Sequence, residues 1–316
     1  MEDPVNTENR NAGNGGDLVK HTLYLATIRF LVGRKPWSDG LFLRECHAGR
    51  GMYRISDQTR RSRLACLHSD PASAGHPLLL QSAQRGVLRP LGCWPAADQP
   101  MEWYAGSALL NAYTLSDASP ASTVDLYEWL PETRRILRSV LADLRLNLPV
   151  NTVLPEEQDQ EFDGEDYILR SVDGWGVQDL ILLDPFAMWR QPGDQAKRDR
   201  YGAIIDGLIA RGGEAPSFIL FWTWGRHFPA ADADLDGTAE PVRNGYSDLR
   251  GKLHKGGFQL VIVKWRWELQ FAMWVVVPEA HVTDLREDID LHCRLLTDHL
   301  TRNGYGDLSH PDVEID

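Results

Sequence analysis

Residues 41–53 read Leu41-Phe42-Leu43-Arg44-Glu45-Cys46-His47-Ala48-Gly49-Arg50-Gly51-Met52-Tyr53. A short apolar run ends in an acid and passes into a turn with two glycines. A buried strand entering a glycine turn is the opening of a nucleotide-binding α/β domain, because ligands of such sheets bind beyond the carboxyl ends of the strands. The turn holds Gly49 and Gly51 alone. A dinucleotide fingerprint uses a third glycine, and a phosphate-binding loop ends in Gly-Lys-Ser/Thr; neither is met here. Two glycines behind the strand-end acid Glu45 suit S-adenosylmethionine. Its amino-acid and ribose portions need close backbone approach but no pyrophosphate cradle.

Working outward, the flanking pattern supports a layered α/β domain. Residues 1–15, rich in Asn, Gly and acid, read as a flexible leader. From Gly16 to Val32, the residues Val19, Leu23, Ala26 and Phe30 recur at helical spacing. Asp17 stands in the first turn, where the helix dipole favours an acid. Residues 57–103 carry Arg60, Arg61, Arg63, several prolines and little periodicity, and read as an insertion with short helices. Alternation then resumes, with a helix over Ser107–Leu115 and a strand over Val124–Tyr127 ending at Glu128. A helix follows over Pro131–Leu144, its proline suited to the first turn. Leu180–Leu183 is a fully apolar strand ending at Asp184. After it come a helix over Tyr201–Ala210 and a strand over Phe218–Trp222. A helix over Asp248–Lys255 precedes strands at Gln259–Lys264 and Gln270–Val277, joined so closely that they must pair antiparallel. A last helix, Leu285–Leu300, leads into a polar tail. Continuous apolar runs alternating with helices predict a doubly wound α/β fold over residues 16–316, its sheet mostly parallel and covered on both faces.

The 316 residues are 43% hydrophobic, enough for a sizeable core and against global disorder. With 33 Lys+Arg against 45 Asp+Glu the net charge is −12. That argues against a general nucleic-acid coat, since counterion release needs many phosphate-facing cations, but leaves room for a local basic patch. Arg44, Arg50, Arg54, Arg60, Arg61 and Arg63 gather around the insertion, and Arg190, Lys197, Arg198 and Arg200 follow Asp184-Pro185-Phe186. Both groups read either as phosphate contacts at a substrate mouth or as solvated charges balanced by the many acids. Four isolated cysteines without a Cys-x-x-Cys pair make neither a disulfide framework nor a structural zinc site, so no metal is expected. The N-terminus lacks the apolar centre of a signal peptide. The longest apolar stretches fall far short of the about 18 residues of a membrane span. A cytoplasmic protein without a membrane partner is expected. Of eleven tryptophans, Trp222 and Trp224 follow a strand near the expected site, and most others read as core packing.

Two blocks carry a resemblance: Asn11–Thr22, NAGNGGDLVKHT, and Leu41–Tyr53. Together they resemble the bacterial 23S rRNA adenine-N6 methyltransferase family of the RlmJ type, which opens with a similar AGN…D-x-x-K-H-T helix and a strand acid followed by HAG-x-G. Further similar blocks stand in order: Tyr104-Ala105-Gly106-Ser107 with Leu109, the strand to Glu128 with Pro131, Asp163-Gly164, and Ile181-Leu182-Leu183-Asp184-Pro185. The resemblance covers roughly residues 11–280. It implies a Rossmann-like S-adenosylmethionine-dependent methyltransferase with a mostly parallel seven-stranded sheet and a helical insertion after the first strand. It also places Lys20 and His21 beside the cofactor, and Glu45, His47, Gly49 and Gly51 in its binding turn. Ser107, Glu128 and Asp163 would contact the methionine end, the ribose and the adenine. Taken alone, these residues keep other readings: Lys20 as a solvated helix charge, His21 as a satisfied core imidazole, Ser107 as a helix N-cap, Glu128 as a strand-end acid facing water.

The family carries an acid-Pro-Pro-aromatic motif after its fourth strand. The acid and the first proline carbonyl accept hydrogen bonds from the target amine, and the aromatic ring stacks on the flipped base. Here the segment reads Asp184-Pro185-Phe186-Ala187-Met188-Trp189, so the second proline is absent and the aromatic stands one place early. This variant resembles the motif of the three-Cys-motif partner proteins, whose GSPL-like segment Gly106-Ser107-Ala108-Leu109 approximates. The leader, Asn6-Thr7-Glu8-Asn9-Arg10-Asn11, lacks the Tyr and His residues that the rRNA enzymes carry there. The expectation is methyl transfer to an amino nitrogen, that of adenine in RNA, with Asp184, Pro185 and Phe186 as catalytic residues. Two alternatives remain: a small-molecule acceptor, and a degenerate module that holds nucleotide or a protein partner without turnover.

Overall fold

Leu180, Ile181, Leu182 and Leu183 are all buried, yet successive residues enter different cores. Leu180 and Leu182 join one cluster, and Ile181 and Leu183 another. Side chains of a strand alternate between the faces of its sheet, so a strand apolar at every position needs cover on both faces. The same split recurs in Phe218–Phe221 and in Phe271–Val276. The architecture is therefore three layers.

The computed structural model describes residues 13–68, 78–96, 99–128, 130–152, 164–171, 174–184, 195–225, 240–266, 270–305 and 308–316. The chain begins with α1 (Gly15–Val32), β1 (Phe42–Glu45), β2 (Met52–Arg54), α2 (Gln58–Leu64), α3 (Leu79–Leu88), β3 (Trp103–Ala105) and α4 (Ser107–Ala118). It continues through β4 (Thr123–Leu126), α5 (Pro131–Asp143), β5 (Val150–Thr152), α6 (Gly164–Ser171), β6 (Asp179–Leu183), α7 (Gln195–Ala210) and β7 (Ser217–Gly225). Last come α8 (Glu240–Lys255), β8 (Leu260–Arg266), β9 (Gln270–Val276), α9 (Val282–Arg302) and β10 (Asp312–Ile315).

Among the described residues the main sheet has eight strands in the order β10-β8-β9-β7-β6-β1-β4-β5. Strands β5, β4, β1, β6 and β7 run parallel, whereas β9 pairs antiparallel with β7 and β8, and β10 antiparallel with β8. This mixed α/β architecture is compatible with a Rossmann-like fold. The expectation of seven strands is corrected to eight, because the polar tail contains β10. In that strand Val313 alone is buried, which leaves little apolar alternation to read. Charge holds it instead: Asp316 receives Arg250 and His254, and Lys264 pairs with Glu314 at 2.5 Å.

Helix α1 is apolar almost all round, as a helix enclosed on every side must be. It packs against α3, α4 and α9, and Asn14 caps it by accepting the Asp17 N–H at 2.9 Å. The cap starts the helix at Gly15, one residue ahead of the expected boundary. The small β2–β3 sheet brackets the insertion, with Tyr53 opposite Tyr104. The Gly106 N–H donates to the Gly51 carbonyl at 2.6 Å, so the entry to α4 is tied to the glycine turn.

Candidate functional site

Strand β1 lies between β4 and β6; the chain turns one way to β4 and β5, then crosses to β6 and β7. The carboxyl ends of β1 and β6 thus flank the topological switch point, where open α/β sheets bind their ligands. Glu45 ends β1 and Asp184 follows β6. In the turn after β1, Gly49 and Gly51 have φ of +62° and +76°, the left-handed region that favours glycine. A Cβ at Gly51 would meet Leu137 Cδ1 at 2.7 Å and Leu109 Cγ at 2.9 Å. The Gly49 N–H donates to Glu128 Oε2 at 2.8 Å, and Glu128 Oε1 accepts the Leu130 N–H at 3.0 Å. Glu128 is therefore no idle strand-end acid, since it braces the glycine turn against the start of α5.

Glu45 is 3% exposed and pressed between α1 and α4. Asn111 Nδ2 donates to its Oε2 at 3.1 Å, and Ser107 hydrogen-bonds it from one turn earlier on α4. Burial raises its carboxyl from the ordinary 4.5 to about 7, against the opposing pull of Ser107, Asn111 and Lys20. Ser107 is the first residue of α4 rather than its N-cap, which is Gly106, so its hydroxyl is turned to the acid.

Lys20 Nζ lies 2.8 Å from Asp184 Oδ2 and 3.2 Å from Asp17 Oδ1, and 5.2 Å from the centre of the Phe221 ring. Burial works against this charge, but the two carboxylates outweigh it and hold the ammonium protonated well above its usual range. Lys20 is thus a paired, largely buried cation and not a solvated helix charge. The Asp184 N–H donates to His47 Nδ1 at 3.3 Å, joining the end of β6 to the glycine turn. His21 is 3% exposed, stacks on Tyr104 and bonds its hydroxyl through Nδ1 at 2.8 Å. Burial, with Lys20 beside it, pushes its protonation well below the usual histidine range, so the imidazole is neutral. It backs the site through Tyr104.

The structure thus gathers Lys20, Glu45, His47, Gly49, Gly51, Ser107, Glu128 and Asp184 at one end of the sheet, with His21 behind them. Pro185, Phe186 and Asp163 lie outside the described residues, as do Arg190 and the side chains of Trp222 and Trp224. Trp265 and Trp274 are buried as core residues. Asp17, Tyr24, Asn111 and Tyr104 were missed as members of the site. Their signal was helical spacing: Asp17 and Tyr24 flank Lys20 at three and four residues, and Asn111 follows Ser107 by four. One expected phosphate contact is corrected. Arg44 points into the sheet, where it pairs with Asp125 and, at 2.9 Å, with Asp179. Arg61 is likewise engaged by the Ile55 carbonyl and Glu102.

Asp17 and Asp184 pair with one ammonium, which also acts on Glu45. Such a field repels a pyrophosphate and suits a ligand with a positive centre. Glycines without Cβ at the turn, and a polar atom beside Glu45 that has no partner among the described residues, Asn111 Oδ1, are compatible with S-adenosylmethionine, a sulfonium. Among the described residues there is no three-residue His/Cys/Asp/Glu group suited to a metal, and no helix is long and apolar enough to cross a membrane. No protein-family model matches the sequence, and neither does any curated protein. Among solved structures, the crystal structure of protein LPL1258 from Legionella pneumophila str. Philadelphia 1, described under the family DUF519, is similar with a TM-score of 0.58. The match covers 96% of this chain and 97% of that one at 16% identity, and at that identity the likeness is one of fold.

Proposed function

We propose that this protein is an S-adenosylmethionine-dependent methyltransferase that acts on an amino nitrogen, with the exocyclic amine of adenine in RNA as acceptor. The observation that carries the reading is the junction at the switch point. There the glycine turn behind Glu45 and the acid behind β6 are joined through His47 and Asp184. The ordered blocks that resemble RlmJ-type enzymes support adenine in RNA, and the acid-proline pair Asp184-Pro185 supports an amine acceptor. When bound, the cofactor supplies a methyl group on a sulfonium that is its own leaving group. Ser107 and Lys20 would hold its methionine end, Glu128 its ribose and Asp163 its adenine.

Asp184 has one oxygen on Lys20, and its Oδ1 makes no bond to a described residue. That oxygen accepts an N–H of the acceptor amine and turns the nitrogen lone pair toward the methyl group, which is catalysis by orientation. The Pro185 carbonyl takes the second N–H, and Phe186 stacks on the base. A small-molecule acceptor is the second reading. It is favoured by the withdrawal of Arg44 from the phosphate-facing set and by the net charge of −12.

The test is calorimetric titration with S-adenosylmethionine, with NAD as control, followed by methyl uptake into RNA. Micromolar binding of the methyl donor alone is expected. Asp184→Ala should abolish turnover and leave cofactor affinity within about threefold, a loss confined to the transition state. A steep fall of acceptor affinity with salt selects RNA, and a flat response selects the small molecule. Absence of S-adenosylmethionine binding would overturn the reading.

A further inference from the structure

Between the end of α5 and the start of β5 lies a cavity of about 310 Å³. The 13 residues of α5 set it about 20 Å from Glu128, at a rise of about 1.5 Å per residue. It stands at the amino end of β5, whereas Glu128 follows the carboxyl end of the parallel strand β4. The cavity is therefore no part of the switch-point site. Its wall is aliphatic, with Leu141 and Ala142 from α5 and Leu144, Leu146 and Leu148 from the loop that follows. Arg138, one turn before Ala142, supplies the charge in that wall, and among the described residues no acid lines it. The loop is pinned rather than collapsed into the space. The Leu144 N–H donates to the Val140 carbonyl at 3.2 Å, and the Leu146 N–H to the Leu144 carbonyl at 2.8 Å. The Asn147 N–H donates to the Ser116 hydroxyl at 2.7 Å. Leu144 and Leu148 are buried, whereas Leu141 and Leu146 are only half-buried. A preformed apolar hollow with one placed polar group is the usual form of a small-molecule site.

Volume and charge choose the ligand. At about 30 Å³ for each water-sized unit, the cavity holds about ten of them, enough for a short chain and too little for a nucleoside. Leucine walls disfavour a sugar, whose hydroxyls would be buried without partners. The head group follows from the arginines. Arg138 stands one turn after Arg134 on α5, and burial first, then the Arg138 charge, work against protonation of the Arg134 guanidinium. An anion beside Arg138 offsets that repulsion, and a carboxylate matches the forked guanidinium. The acids of α5 are placed elsewhere: Glu132 lies 4.0 Å from Arg135, and Asp143 is exposed outside the cavity wall. We propose that this cavity binds a short aliphatic carboxylate, its chain against Leu141, Leu144, Leu146 and Leu148 and its head group at Arg138. The site is separate from the cofactor reading above and does not depend on it.

Calorimetric titration of the full chain with hexanoate, hexanol and hexylamine tests it, since the three share one chain and differ in head group. Hexanoate should bind with millimolar affinity or better, a yield per atom within the range of small ligands. Hexanol and hexylamine should bind at least about tenfold more weakly, the effect of one hydrogen bond to a charged group. Saturating S-adenosylmethionine should not displace hexanoate. Arg138→Gln should erase the preference for hexanoate over hexanol. Ala142→Phe should fill the cavity and abolish hexanoate binding, with the melting temperature nearly unchanged, because an exposed helical position tolerates the exchange. Arg138→Gln, which leaves the space open, decides the matter where the larger residue disturbs folding. Absence of hexanoate binding at millimolar concentration, equal binding of hexanoate and hexanol, binding undiminished in either variant, or displacement by S-adenosylmethionine would each overturn the site.

Discussion

Arg44 and Glu45 are neighbours on one strand and face opposite sides of the sheet, and the two charged clusters they anchor are built on different principles. The Arg44 guanidinium bridges β1 to both neighbouring strands, pairing with Asp125 on β4 and Asp179 on β6. Those acids are themselves engaged: Asn151 Nδ2 donates to Asp125 at 2.9 Å, and the Gly176 N–H donates to Asp179 at 2.9 Å. The Trp175 ring closes over the guanidinium at 5.0 Å. Around Glu45 the opposite holds. The acid is buried at an energetic disadvantage, and among the described residues the Tyr24 hydroxyl, Asn111 Oδ1 and Asp184 Oδ1 have no hydrogen-bond partner. A closed cluster fixes register, whereas an open one is poised for something from outside, because strain of this kind persists only where surrounding structure enforces it. Charge and burial alike fail to separate the two; completeness of pairing does.

The largest effect should come from the closed cluster. Arg44→Met leaves Asp125 and Asp179 buried without their cation, and breaking a buried pair from one side costs about 3–5 kcal/mol. Urea unfolding should show that loss in the midpoint. Adding Asp125→Asn and Asp179→Asn should restore most of it, since whole buried ion clusters are replaceable where single members are not. S-Adenosylmethionine affinity of the folded protein should not change. A cost below about 1 kcal/mol would make the Arg44 cluster a surface pair and collapse the comparison.

Glu45→Gln should act with the opposite sign and only at high pH. The Glu45 carboxyl is raised from 4.5 to about 7 in the folded protein. The folded chain therefore keeps a proton that the unfolded chain releases between those values. Stability from this group is full below about pH 4.5 and falls as pH rises through 7. The interval corresponds to about 3 kcal/mol. His21 works the other way: its protonation is pushed down by burial, so it loses stability as pH falls below its ordinary 6.5. Comparing Glu45→Gln with the unsubstituted protein cancels that contribution. Their unfolding free energies should agree near pH 4.5 and diverge toward pH 8, where the glutamine form is the more stable. A difference independent of pH would mean that Glu45 is not a strained acid.

How far this contrast was legible in the sequence depends on where its information lies. Glu45 and Asp184 were readable because each closes an apolar run, whereas Lys20 was placed only by the resemblance of the block Asn11–Thr22. Tyr24 and Asn111 were not, although they follow Lys20 and Ser107 by one helical turn. Spacing gives the shared face, but which face meets Glu45 depends on how α1 and α4 settle on the sheet. Arg44 was grouped with phosphate contacts for the same reason. Its partners come from strands 81 and 135 residues away, and their register across β4 and β6 is written nowhere in the local pattern. The layered sheet was legible from continuous apolar runs at residues 180–183 and 218–222, and β10 escaped because charges hold it.

The smallest effect sharpens the contrast most. At Gly49 the left-handed backbone alone makes alanine cost about 1–2 kcal/mol. The new methyl would also sit 2.2 Å from the Tyr53 hydroxyl, whereas the next ring atom, Cζ, lies at an ordinary 3.6 Å. Tyr53→Phe should therefore relieve the collision and leave the backbone cost. In a double-mutant cycle the pair should be less damaging than the sum of the singles by more than about 0.5 kcal/mol, beyond ordinary additivity. Additive costs would mean that Tyr53 yields without resistance. The informative reading is affinity in the double variant. If stability returns while S-adenosylmethionine binding stays weak, the missing Cβ at Gly49 serves the ligand, as an open cluster requires. If both return together, the glycine serves the turn alone, and the openness of this end of the sheet rests on Glu45 and its neighbours.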